Sequence, residues 1–137
     1  MSELKITSLL GLTMTSVEQN GRDAIVFTAT TGAKYKLFHE QDCCETVEIE
    51  DVNGELSDLV GAPILLAEEV SSTRDDGAKA RDDGRGYTDE SFTWTFYKLA
   101  TVKGYVTIRW YGNSNGYYSE RVDFAKFEDE YAGWRTW

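Results

Sequence analysis

The segment His39-Glu40-Gln41-Asp42-Cys43-Cys44-Glu45 holds the only histidine of the chain and both of its cysteines. Thiolate sulfur and imidazole nitrogen are the ligands that Zn²⁺ prefers, in a tetrahedral shell. A loop between two strands can turn so that His39, Cys43 and Cys44 face one point. These three residues therefore predict a zinc site. A fourth ligand can come from one of the nearby carboxylates: Asp42, Glu45, Asp51, Glu68 or Glu69.

The spacing of the three residues leaves a second interpretation open. Zinc fingers separate their cysteines by about two to four residues, whereas Cys43 and Cys44 are adjacent. In the alternative, both cysteines are small buried apolar residues and His39 ends a strand. A disulfide is not expected, because thiols stay reduced in the cytosol and because a bond between neighbours is strained.

The sequence lacks the motifs of common catalytic sites. The zinc signatures of deaminases and metalloproteases are absent, as is a phosphate-binding Gly-rich loop. A single histidine, already assigned to zinc, leaves a Ser-His-Asp triad unsupported. The pairs Asp75-Asp76 and Asp82-Asp83 lie in an irregular polar segment that positions an acid and a base poorly. We therefore expect a structural zinc and a protein that is not an enzyme.

The charge of the chain is concentrated in its middle third. The formal net charge is −10, yet residues 40–90 contain 16 acidic and four basic residues, so the two flanks together are slightly positive. An acidic protein opposes direct binding to nucleic acid, which needs basic groups for the phosphates. It favours a basic protein partner, and nucleic-acid-binding proteins are common basic partners. The alternative is that the charge only maintains solubility.

The order of apolar and polar residues predicts mostly strands. Asn20-Gly21 and Asn53-Gly54 are turn dipeptides, and Glu55–Val60 predicts one helical turn. Ala125–Trp137 predicts a short helix whose tryptophans cover a sheet edge. The predicted class is α+β, predominantly antiparallel β-sheet (hairpins and a C-terminal meander) with short helices. The predicted strands are Leu12–Glu18, Ala24–Thr30, Lys34–Phe38, Thr46–Val52, Ile64–Val70, Phe92–Leu99, Tyr105–Tyr111 and Tyr117–Phe124.

The length of 137 residues fits a single domain, 1–137. Residues 71–90 contain the sequence R-D-D-G twice and predict a mobile acidic loop. No stretch approaches the roughly 18 apolar residues of a membrane span, and the N-terminus lacks the features of a signal peptide. We therefore expect a cytosolic protein that does not contact a membrane.

Two segments, H-E-Q-D-C-C-E (His39–Glu45) and R-W-Y-G-N-S-N-G-Y-Y-S-E (Arg109–Glu120), resemble a family of small acidic bacteriophage proteins of unknown function. The resemblance runs from about Gly11 to Phe124. Within this group the chain is similar to a zinc-containing anti-CRISPR inhibitor of the type II RNA-guided nuclease. The resemblance implies a structural zinc at His39, Cys43 and Cys44, binding to the nuclease–guide complex, blocked loading of target DNA, and action in the cytoplasm of an infected bacterium.

Such a nuclease holds nucleic acid in a basic channel, which an acidic surface can occupy. Glu48 and Glu50 point away from the apolar face of their strand and are the first candidates for partner binding. Asp75, Asp76, Asp82 and Asp83 in the predicted loop are the next. Salt links from these carboxylates to Lys and Arg would give fast association and a fixed register more than raw affinity.

Two alternatives stay open at the level of sequence. A small-molecule or nucleotide-binding sponge protein predicts a pocket near Trp110 and Tyr118, with Arg109 or Arg121 contacting a phosphate. A metal-dependent hydrolase predicts an open coordination position on the metal.

Overall fold

The computed structural model describes residues 2–81 and 89–127. A strand ends immediately before each of the predicted turn glycines, Gly21 and Gly54. These two residues adopt φ values of +56° and +111°, which a residue with a Cβ rarely adopts. Nine strands form two antiparallel sheets within these residues. They are β1 (Ser2–Glu3), β2 (Met14–Asn20), β3 (Ala24–Ala29), β4 (Lys34–Phe38), β5 (Thr46–Asn53), β6 (Leu66–Thr73), β7 (Ser91–Thr101), β8 (Gly104–Ser114) and β9 (Asp123–Phe127).

The first sheet has the order β1-β9-β4-β3-β2 and the second the order β5-β8-β7-β6. Burial alternates along most of β7 and the first half of β5, as in a strand with one face on a core. Phe27, Leu37 and Phe124 of the first sheet join one core with Leu99 and Trp110 of the second. The two sheets therefore share a single hydrophobic core.

The predicted α+β class is wrong in its helical part. The described residues contain strands and three short 3₁₀ helices, Ile6–Leu9, Leu56–Leu59 and Arg74–Asp76, so the fold is mostly β. The expected turn at Glu55–Val60 is confirmed by the second of these. Of the predicted C-terminal helix, the first residues belong to β9 and the rest lies outside the described residues. In this part of the chain, no helix is long and apolar enough to cross a membrane.

The predicted loop 71–90 differs from the structure at its start. Residues 71–73 continue β6, because their pairing with β7 extends to Thr73↔Thr93. The next residues form the 3₁₀ helix Arg74–Asp76, in which Asp76 Oδ2 accepts a hydrogen bond of 2.9 Å from the Thr73 backbone N–H. Asp82 and Asp83 lie outside the described residues. The acidic segment is therefore partly built into the second sheet.

Candidate functional site

His39 is held between two oxygen atoms. Its Nδ1 is 2.7 Å from the backbone oxygen of Arg121, and its Nε2 is 2.7 Å from Glu45 Oε2. The side chains of His39 and Glu45 are 3% and 0% exposed. A carbonyl oxygen only accepts hydrogen bonds, so Nδ1 is the donor to Arg121. The ring therefore joins the loop after β4 to the segment before β9.

The Glu45 carboxylate organises the rest of this loop. It accepts hydrogen bonds from the backbone N–H groups of Asp42 (2.8 Å) and Cys43 (3.0 Å). Burial raises the pKa of Glu45, but the N–H groups of Cys43 and Asp42 and the His39 ring outweigh it and lower the pKa to about 2. Glu45 is then ionised at neutral pH, and His39 Nε2 faces a negative acceptor.

The two cysteines differ from both sequence interpretations. Cys43 and Cys44 are exposed, and their sulfur atoms are joined in a disulfide. The expectation of free thiols is therefore wrong for this structure. Their Cα atoms are 3.7 Å apart, which is the ordinary spacing of neighbouring residues.

The residues around His39 do not fit a zinc ion in this arrangement. Both imidazole nitrogens are already hydrogen bonded, whereas a zinc ligand must offer a free lone pair. The sulfurs of Cys43 and Cys44 are bonded to each other and are not thiolates. Over residues 2–81 and 89–127, no group of three or more His, Cys, Asp or Glu side chains is arranged to hold a metal. The geometry makes this cluster a clamp between two loops.

Arg81 lies over the outer face of the second sheet and contacts two predicted partner residues. Its Nη1 is 2.9 Å from Glu48 Oε2 and 2.9 Å from Glu50 Oε2. Glu48 also receives Arg22 Nη1 at 3.3 Å. Burial lowers the pKa of Arg81, but its hydrogen bonds to Glu50 and Glu48 outweigh burial and raise it. Glu48 and Glu50 are therefore locally neutralised.

Two aromatic side chains of the same face anchor the segment that carries Arg81. The Tyr111 hydroxyl accepts the Arg81 backbone N–H at 3.1 Å and donates to Asp89 Oδ2 at 2.6 Å. Burial and then Asp89 raise the pKa of Tyr111 to about 12, against a smaller opposing effect of Arg81. Trp94 Nε1 donates to the Lys79 oxygen at 2.8 Å. These contacts join residues that are 15 to 30 positions apart in the chain, so no local pattern predicts them.

A second group of carboxylates lies along β6 and the 3₁₀ helix that follows it. All of its members are exposed, and β6 is the last strand of its sheet. Asp75 and Asp76 were expected from the sequence as partner-binding residues, whereas the two glutamates were considered only as metal ligands. We call this group the acidic edge: Glu68, Glu69, Asp75 and Asp76.

An aromatic pocket of about 210 Å³ lies next to the acidic edge on the outer face of the second sheet. Trp94 and Phe96 form its floor, since both are even-numbered residues of β7 and point away from the core. The Arg109 guanidinium lies 5.6 Å from the centre of the Trp94 ring. The remaining lining residues are Ser72 and Ala78. Alternation along Phe92–Leu99 predicted the shared face of Trp94 and Phe96, but not which face is outward.

The pocket expected for a nucleotide takes a different form. Trp110 is fully buried in the core and lines no ligand pocket of the described residues. Tyr118 and Arg121 do line a common cleft, of about 350 Å³, between the second sheet and the segment before β9. Glu69 and Glu120 line the same cleft, and two carboxylates oppose the binding of a phosphate. The lining of this cleft therefore does not favour a nucleotide as its ligand.

Comparison with known proteins places the chain in a family without assigning an activity. Neither a curated protein nor a solved structure matches it. A family model described as a domain of unknown function, DUF7448, matches residues 7–124. The match includes every described strand except β1 and most of β9, and it contains the His39 clamp, the Arg81 contacts and the acidic edge. The chain belongs to the DUF7448 family.

Proposed function

We propose that this protein is a binding protein, not an enzyme, and that it captures a basic nucleic-acid-binding protein through the acidic edge. The partner that the sequence resemblance implies is the type II RNA-guided nuclease with its guide. Under this proposal the protein is a phage-encoded anti-CRISPR inhibitor that acts in the cytoplasm of the infected bacterium and blocks loading of target DNA.

The observation that carries the proposal is the uneven pairing of the carboxylates. Glu48 and Glu50 share Arg81, so they present little free charge to a partner. Among the described residues, no ion pair neutralises Glu68, Glu69 or Asp75. Unpaired exposed carboxylates attract a basic surface and speed association. We therefore propose the acidic edge as the binding surface, in place of Glu48 and Glu50 on β5, which the sequence predicted first.

The proposed mechanism is competition between carboxylates of this protein and phosphates of the nucleic acid for the same Lys and Arg side chains of the nuclease. A nuclease of this type holds its guide–target duplex in a positively charged channel, mainly through the backbone of the nucleic acid. Carboxylates of the acidic edge would pair with Lys and Arg side chains that otherwise meet phosphates. Target DNA would then lose these contacts, and the association would weaken as salt is raised.

The test is a cleavage assay with the nuclease–guide complex preincubated with the protein, together with a gel assay of target DNA binding. The first variant reverses charge on the acidic edge, Glu68→Lys with Asp75→Lys. The control variant makes the same charge change on the first sheet, Glu18→Lys with Asp23→Lys, at two exposed residues.

We expect the wild-type protein and the control to inhibit both steps, and the acidic-edge variant to lose inhibition at least about tenfold. Unchanged cleavage with excess wild-type protein would reject the nuclease as partner. Equal inhibition by the two variants would reject the acidic edge as the surface that binds.

A further inference from the structure

Strand β6 is an open edge of the second sheet. Within the part of the chain that the structure describes, β7 is the only strand that pairs with it. Four consecutive residues at its centre, 68–71, are exposed. Every second residue of an edge strand points its backbone N–H and C=O away from the sheet, and these groups can pair with another strand.

Each of the other sheet edges is short or makes a backbone hydrogen bond with a neighbouring segment. The Ile49 N–H of β5 donates to the Arg22 oxygen at 2.8 Å, and Arg22 also pairs with Glu48 across this edge. On β2, the Met14 oxygen accepts the Gly61 N–H at 2.9 Å. Strand β1 has only two residues. Within the described residues no such backbone hydrogen bond to residues 66–72 of β6 is seen, although the 3₁₀ helix Ile6–Leu9 lies close to this strand.

The side chains of β6 specify the chemistry of what can pair with it. Glu68 and Glu69 are adjacent, so they point to opposite faces of the sheet and both stand at the edge. Val70 follows on the outer face and is 42% exposed. It lies directly opposite Phe96, which forms part of the floor of the aromatic pocket. The edge thus presents two carboxylates and then an apolar position.

We propose that β6 accepts an additional β-strand from the basic partner, with a Lys or Arg beside each of Glu68 and Glu69 and a large apolar side chain beside Val70. Neighbouring strands are about 4.8 Å apart, so a Phe or Trp side chain can reach over β6 toward Phe96 and Trp94. Main-chain hydrogen bonds supply affinity in strand addition, and the side chains supply specificity. This inference rests on the proposed function and adds the mode of binding.

A second copy of the chain is a poorer occupant of this edge. Two β6 strands placed side by side would bring the carboxylates of Glu68 and Glu69 close to those of the other copy, and like charges across a strand pair are destabilising. A basic strand reverses the sign of the same contacts. The charge of the edge therefore selects a partner of opposite charge.

The experiment titrates the full-length protein with a synthetic peptide of eight residues, the length of β6. In this probe a Phe precedes Lys-Lys within a run of Thr and Val, which is the antiparallel match to Glu68, Glu69 and Val70. The control peptide has the same sequence with alternate backbone nitrogens methylated, so its charges are kept and its donors are lost. Affinity is measured by calorimetry, and hydrogen exchange is measured at Glu69 and Ser71.

We expect the methylated peptide to bind at least about tenfold more weakly, and the unmodified peptide to slow exchange in β6. Val70→Lys should weaken binding of the unmodified peptide by a similar factor, while Val102→Lys, at an exposed turn valine, should not. Sedimentation of the protein alone reports self-association, and a dimer lost in Val70→Lys would assign the edge to a second copy instead.

The two proposals can fail separately. If the methylated peptide binds as well as the unmodified one, strand addition is overturned. Inhibition of the nuclease by wild type, and its loss in the acidic-edge variant, would then still support the proposed function. If the peptide binds as a strand and the nuclease is not inhibited, the edge is a strand-binding site for a different basic protein.

Discussion

The backbone N–H of Arg81 donates to the hydroxyl of Tyr111 over 3.1 Å, and the Arg81 guanidinium lies 4.6 Å from the centre of the same ring. Tyr111 thus contacts both the backbone and the guanidinium of Arg81. The guanidinium is held where it reaches Glu48 and Glu50, 33 and 31 residues earlier in the chain. Tyr111 therefore positions the guanidinium that neutralises Glu48 and Glu50.

Replacing Arg81 tests the pairing with Glu48 and Glu50. We expect Arg81→Ala to lower the free energy of unfolding by about 1–2 kcal/mol, because a partly buried guanidinium loses two charged hydrogen bonds and its contact with a ring. The control Arg22→Ala removes a guanidinium that is 61% exposed and should cost less than about 0.5 kcal/mol. Urea denaturation measures both, and equal losses would mean that Arg81 contributes no more than a surface charge.

The second prediction concerns the hydroxyl of Tyr111. Tyr111→Phe leaves the Arg81 N–H without its acceptor and removes the shorter of two hydrogen bonds to Asp89 Oδ2, the other coming from Asn113 at 3.3 Å, so we expect a loss of about 1–3 kcal/mol. Hydrogen exchange at the Arg81 amide should rise at the same time. Tyr105→Phe on the same strand is the control, since Tyr105 is 51% exposed, and it should change stability by less than about 0.5 kcal/mol. Unchanged exchange at Arg81 would contradict the anchor.

Local patterns predicted most of the strands well. Lys34–Phe38 has its predicted bounds, and β2, β3, β5, β7 and β8 differ from theirs by at most three residues at an end. The last strand is the exception, because Tyr117–Val122 has the aromatic character of a strand, but residues 118–122 line the cleft beside β6 and β7. Its pairing begins only at Asp123↔Phe38. The start of β9 is therefore set by pairing with a strand about 85 residues earlier in the chain, and local composition cannot predict such a contact.

The site was predictable only in part for the same reason. Alternation placed Glu48 and Glu50 on the face opposite Val47 and Ile49, which agrees with the burial along β5. Strict alternation would also place Asp51 on the same face as Val47 and Ile49, and the structure does not. A shift in register between Ile49 and Asp51 is a bulge, which inserts one residue and changes the face of those that follow. Asp51 is exposed and lies 3.8 Å from Arg109 Nη2.

Glu45 makes the stability of the chain depend on acidic pH. Its pKa is about 2 in the folded state, below the ordinary value of 4.5, so its contribution is complete above about pH 4.5. It is lost as the pH falls from about 4.5 through 2, because the unfolded chain binds the proton first. We expect Glu45→Gln to be less stable than wild type at pH 7, and the difference to shrink over this range. Urea midpoints at several pH values measure it.

The control for Glu45 is Glu18→Gln, which neutralises an exposed carboxylate on β2. It should give a smaller difference from wild type at pH 7, with little change on acidification. If Glu45→Gln instead keeps a constant difference from pH 7 to pH 2, the carboxyl is not ionised against the N–H groups of Asp42 and Cys43.

The zinc predicted for His39, Cys43 and Cys44 is tested by elemental analysis of the purified wild-type protein and of Cys43→Ser. We expect no stoichiometric zinc in either, because zinc would have to displace Glu45 or Arg121 from the His39 ring and to find reduced thiolates. The intact mass should rise by two hydrogens on reduction of the wild type and not of the variant. About one zinc per chain in the wild type, lost in Cys43→Ser, would establish the site. The loop would then hold its metal in a geometry where His39 has left one of its two oxygen partners, and the resemblance to a zinc-containing inhibitor would gain its most direct support.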